Sequence, residues 1–100
     1  MILRETKMKR WDGLPSTMEE SDALVDVAGH SDFLSIVTRM TSDGEIIYRS
    51  ITINENDEIE IVVLFIDDEK CNEFEDTHLN LPWAKEMRRV YDITVNKSTV

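Results

Sequence analysis

One cysteine, three glycines and two prolines in 100 residues exclude several architectures at once. A lone Cys allows neither an internal disulfide framework nor a cysteine-cluster zinc site. Glycines isolated at 13, 29 and 44 cannot build the loop that cradles phosphates. The two histidines, His30 and His78, stand in none of the spacings that ligate zinc. The acid pairs Asp67–Asp68 and Glu75–Asp76 are adjacent, so on a helix they point in different directions. No metal site and no bound cofactor are expected. No apolar run approaches the ~20 residues of a membrane-spanning helix. The opening MILRETKMKRW lacks the apolar segment of a signal peptide. A soluble, cytoplasmic protein without a membrane partner is expected.

Positive charge is scarce too. Eleven Lys and Arg face 21 Asp and Glu, for a formal net charge of −10. Between residues 55 and 84, ten acids face Lys70 alone. Phosphate contact needs clustered Lys and Arg, so this field repels nucleic acid and anionic membranes. The acids gather in turns and helix starts, where caps and helix dipoles favour them, which fits a solvated face. A weaker alternative is an acidic surface that mimics nucleic acid and inhibits a basic partner.

What the chain does contain is a core and a legible pattern. Hydrophobic residues are 41% and charged residues 32%, the balance of one globular domain spanning 1–100. Ile2 to Arg10 shows no helical stripe and reads as an extended strand with a mixed polar face, such as an edge strand. Asp12-Gly13-Leu14-Pro15 is a turn. Ser16-Thr17-Met18-Glu19 fits a capping box that opens a helix, with Ser21, Leu24, Val25 and Ala28 inward and Gly29 as its stop. In residues 31–41, Phe33, Ile36, Val37 and Met40 recur at helical spacing, although the segment is also rich in strand formers. The spacing predicts a second helical piece.

Ser42-Asp43-Gly44 is a turn signal, and Glu45 to Asn54 then alternates. Ile47, Arg49, Ile51 and Ile53 share one face, and Ile46, Tyr48, Ser50 and Thr52 the other. After the turn at 55–57, Ile59 to Ile66 is apolar on both faces, which predicts a hairpin whose second strand is central and covered on both sides. Asp67-Asp68-Glu69 places negative charge at a helix start. Cys71, Phe74 and His78 make that helix's stripe, and Pro82 opens a further piece with Trp83, Met87 and Val90. Asp92 to Asn96 reads as the last strand, and residues 97–100 as a frayed tail. The order is that of an α+β, ferredoxin-like βαββαβ domain: an antiparallel sheet with helices on one face. One sheet face is then left for a second copy to cover.

The stretch Asp43-Gly44-Glu45-Ile46-Ile47-Tyr48-Arg49, then 61–65, then Asp67-Asp68-Glu69-Lys70, then Phe74, His78 and Pro82, resembles the dimeric α/β-barrel superfamily of antibiotic-biosynthesis-monooxygenase-like domains. The resemblance covers about half the chain. It implies a ferredoxin-like fold and a homodimer, and it extends to cofactor-free oxygenases, isomerases, haem enzymes and proteins with no known activity.

The candidate chemistry is thin. Cys71 lies on an apolar stripe, as a small buried hydrophobe does. His78, beside Trp83, is either a half-buried core histidine or a polar group facing a pocket between helix and sheet. Arg49, among isoleucines, either snorkels to the rim or meets an anionic ligand. Tyr48 faces the other way, so the two cannot line one cavity from the same face. The candidate ligand-binding residues are therefore His78, Trp83, Arg49 and Tyr48. The expected function is a small homodimer binding an apolar molecule, fatty-acid-like or aromatic, in a pocket at the sheet. The alternative is a cofactor-independent monooxygenase-like enzyme.

Overall fold

The computed structural model describes residues 1–17, 19, 30–78 and 81–100, without the side chains of 30–34, 78, 82 and 83. Its elements are β1 (Ile2–Arg10), α1 (His30–Ser42), β2 (Ile46–Ile53), β3 (Ile59–Phe65), α2 (Asp68–His78), α3 (Pro82–Val90) and β4 (Tyr91–Thr99). The four strands form one antiparallel sheet in the order β2-β3-β1-β4. This is the α+β, ferredoxin-like arrangement. The helix expected from Ser16, with its stop at Gly29, lies outside the described residues. Ser16 itself is buried, and its backbone N–H donates to the Asp57 carbonyl at 3.0 Å.

Local chemistry sets the element ends. Residues 31–41 are helical, so periodicity overrides strand propensity there. After α1, the Glu45 N–H donates to the Met40 carbonyl and the Gly44 N–H to the Thr41 carbonyl, with Gly44 at φ 74°. That is a Schellman stop, which needs the left-handed backbone glycine adopts freely. Asp67 caps α2: its carboxylate accepts the Lys70 N–H at 2.9 Å. Pro82 stands in the first turn of α3, and Arg88 and Arg89 in its last. In the β2–β3 turn, the Asn54 side-chain oxygen accepts the Asn56 and Glu58 N–H groups, while Asp57 takes φ 59°.

The three described helices pack on one face of the sheet. One cluster joins Val37 and Met40 of α1 and Cys71 and Phe74 of α2 to Ile46, Val63 and Phe65. Another joins Ala84 and Met87 of α3 to Met8, Ile59 and Tyr91. Half-buried Ile61 touches both. Each large side chain such as Phe65 or Met40, fully enclosed here, is worth ~1.5–3 kcal/mol. The register puts Ile2, Arg4, Thr6 and Met8 on this helix side, and Leu3, Glu5, Lys7 and Lys9 on the other. On that second face Leu64 pairs with Leu3 and Tyr48, and Val62 with Glu5 and Ser50. Leu3, Val62 and Leu64 are only half-buried there, and no described helix packs over them.

Three sequence expectations change. β1 is a central strand, not an edge, because both its sides are paired; its polar residues Arg4 and Thr6 are buried under the helices. The register of β2 shifts between Ile46 and Tyr48. The extra residue, Ile47, flips the phase, so buried Ile46 joins the helix side with Arg49, Ile51 and Ile53. The segment expected to fray is strand: β4 runs to Thr99, which pairs with Ile2, and the Val100 N–H donates to the Met1 carbonyl.

Candidate functional site

The helix side of the sheet carries a buried ionic cluster that the sequence reading did not find. Arg4 projects from the first half of β1 with its side chain 7% exposed. Its Nε lies 3.4 Å from Glu75 Oε2, and its Nη1 donates to the Thr6 hydroxyl at 2.9 Å. The guanidinium carbon stands 5.5 Å from the centre of the Phe74 ring, a cation–π arrangement. Lys97, directly opposite Arg4 across the β1–β4 ladder, donates to Glu75 Oε1 at 2.7 Å. The Cys71 sulfur lies 3.9 Å from the same carboxylate oxygen. Sheet pairing fixes the two cations side by side, and one helical turn fixes Cys71 beneath Glu75.

The electrostatics follow from this geometry. Partial burial pushes the Glu75 carboxyl up, but the Lys97 hydrogen bond and the Arg4 charge outweigh it and hold it below its ordinary value. The hydrogen bond to Glu75 raises Lys97. Burial and the Glu75 charge push the Cys71 thiol up, so this fully buried sulfur is no thiolate nucleophile at neutral pH. Two cations surround one carboxylate, leaving one positive charge in excess.

The four residues singled out in the sequence are placed differently. Arg49 and Tyr48 are both exposed on the edge strand β2, on opposite faces, since Arg49 pairs with Val63 and Tyr48 with Leu64. Neither joins the Arg4 cluster. His78 ends α2 and Trp83 stands in the first turn of α3, so they flank the junction between the two helices; their side chains lie outside the described residues. Among the described residues, no group of three or more His, Cys, Asp or Glu converges as a metal site. No described helix is long and apolar enough to cross a membrane. The solvent side of α2 forms an open acidic groove lined by Asp68, Glu69, Asn72, Glu73, Asp76 and Thr77.

The signal that could have found the cluster is weak. An arginine inside an alternating strand usually marks the solvent side. Only the parity of Ile2, Thr6 and Met8 puts Arg4 inward. Its partner Glu75 is 71 positions away, and no local pattern connects them.

Sheet order, helix placement and the half-covered second face define a ferredoxin-like fold. Solved structures share the arrangement over nearly the whole chain. A variant of SnoaB, a cofactor-independent oxygenase from Streptomyces nogalater, superposes with a TM-score of 0.69 at 8% identity, covering 99% of this chain and 91% of that one. An antibiotic biosynthesis monooxygenase gives 0.64 at 9% identity, covering 100% and 98%. A dimeric ferredoxin-like protein from an uncultured marine organism gives 0.66 at 16% identity, covering 99% and 86%. At these identities the likeness is one of fold. No protein-family model matches the chain, and no curated protein matches it by sequence.

Proposed function

We propose that this chain forms a two-fold dimer through its uncovered sheet face, and that each copy holds a small apolar molecule, fatty-acid-like or aromatic, against the sheet. The observation that carries this reading is the face itself. Leu3, Val62 and Leu64 stand together on it, with Tyr48 beside them 55% exposed. Contiguous apolar patches of this kind mark interaction surfaces rather than solvated ones. A two-fold contact covers such a patch with an identical one. The fold shared with a protein described as dimeric supports self-association. His78 and Trp83, at the α2–α3 junction, and Tyr48 and Arg49, on β2, are the proposed contacts at the rims.

Native mass spectrometry of freshly purified protein tests both halves at once. The expected spectrum shows twice the 11.6 kDa chain mass with a retained small-molecule adduct. A bare monomer at micromolar concentration refutes the reading. A second reading, a cofactor-independent oxygenase, draws support from the fold match to SnoaB across 99% of the chain. Oxygen consumption with a polyketide-like aromatic phenol, at a rate proportional to protein, separates catalysis from simple binding.

A further inference from the structure

We propose that Arg4 and Lys97 together receive the carboxylate of an apolar monocarboxylic acid, whose body lies along β4 on the helix side of the sheet. This position goes beyond the reading above and is apart from its β2 contacts, since β4 and β2 are opposite edges of the sheet. Three features lead to it.

The first is an unused donor. Arg4 is nine-tenths buried, its Nε and Nη1 are engaged by Glu75 and Thr6, and its Nη2 carries no hydrogen bond to a described residue. Arginine presents five N–H groups in a rigid fork suited to a two-oxygen acceptor, and this Nη2 keeps solvent access, so an entering carboxylate can reach it. The second is charge. Arg4 and Lys97 face Glu75 alone, so the cluster accommodates one further negative charge and not several. A monocarboxylate matches that count; a doubly charged phosphate exceeds it. The third is an apolar floor. On the same face, Val95 pairs with buried Thr6 yet is 43% exposed, between Lys97 and half-buried Ile93. The described helices enclose Met8, Val63 and Phe65 but leave this part of β4 open beside the cations.

The groups facing the Arg4 fork come from every element packed around it: Thr6 from β1, Val63 from β3, Lys97 from β4, and Phe74 and Glu75 from α2. The ring of Phe74 holds the guanidinium plane, and Thr6 and Glu75 hold two of its edges. What remains is a preorganised position for one planar anion at the top of an apolar strip.

Isothermal titration calorimetry with sodium octanoate, using octan-1-ol as the neutral probe of the same length, tests the assignment. Octanoate binds the wild-type protein about tenfold more tightly than octanol, the gain of one charge-assisted hydrogen bond. Lys97→Met, at a 42% exposed position, removes that preference and leaves octanol binding unchanged. Glu75→Gln deletes the competing carboxylate and tightens octanoate binding, the opposite of what a merely structural ion pair predicts. Arg4→Met abolishes octanoate binding, and Lys97→Met decides the matter if that variant does not fold. Octanol binding with no octanoate preference, or a Lys97→Met protein that keeps the preference, overturns the anion position and leaves only the apolar strip along β4. Binding of neither probe overturns both.

Discussion

Placing a charge at Leu64 discriminates between the two faces of the sheet. Leu64 sits on β3 between Leu3 and Tyr48, on the side away from the helices, and is half-buried in a single copy. Its neighbour Phe65 is fully buried on the other side, 5.2 Å from the Phe74 ring. In a two-fold dimer each contact residue occurs twice. Leu64 is already half-buried, so the contact adds about half of the ~1.5–3 kcal/mol of a full burial, and its loss from both copies costs the assembly about 1.5–3 kcal/mol. At tenfold per ~1.4 kcal/mol, Leu64→Glu raises the dissociation constant by about tenfold to a hundredfold, before the desolvation of two carboxylates is added. The single chain keeps its core, so circular dichroism and the cooperative melt persist while sedimentation equilibrium reports half the wild-type mass. Phe65→Ala does the reverse. It opens a cavity in the core at ~3–5 kcal/mol, out of a total of ~5–15 kcal/mol for a domain this size, and shows as a lower melting temperature. A folded Leu64→Glu protein with the mass of a wild-type dimer refutes the argument.

Other consequences are open to measurement. Glu75 has a folded-state pKa below its ordinary value of 4.5, so its ion pairs stabilise the fold above that pH and are lost as pH falls through the lowered value. Melting temperature therefore drops less steeply below pH 4.5 in Glu75→Gln than in wild type; parallel curves contradict this. The Arg10 guanidinium holds the Asp12 carboxyl at about 2, and a carboxylate titration by NMR returns it toward 3.8 in Arg10→Gln. Asp67→Ala removes the cap of α2 at ~0.5–2 kcal/mol, which lowers the melting temperature by roughly 4–8 °C per kcal/mol in a domain of this length. Solubility passes through a minimum near the sequence pI of about 4.5, where self-repulsion vanishes; a flat profile from pH 7 to pH 4 contradicts it.

Features determined by neighbours within a few residues were legible in the sequence. The Asp67 cap, Pro82 at the head of α3, the Gly44 stop and the Asn54–Glu58 turn each join residues no more than about five apart, so local chemistry decides them. The two faces of β3 follow from its period of two, and with the element order they implied both the ferredoxin-like sheet and an uncovered side. Tertiary structure decided what depends on distant partners. The extra residue at Ile47 leaves no mark in an alternating pattern, yet it moves Ile46 into the core. The polar tail of β4 is ordered only because β1 offers it a full ladder. Arg4, which reads as a surface residue in a polar strand, is drawn inward by register and kept there by Glu75 and Thr6. Hydrophobic period and capping are properties of a segment; a buried charge is tolerable only where the fold brings its counter-charge, and no segment contains that information by itself.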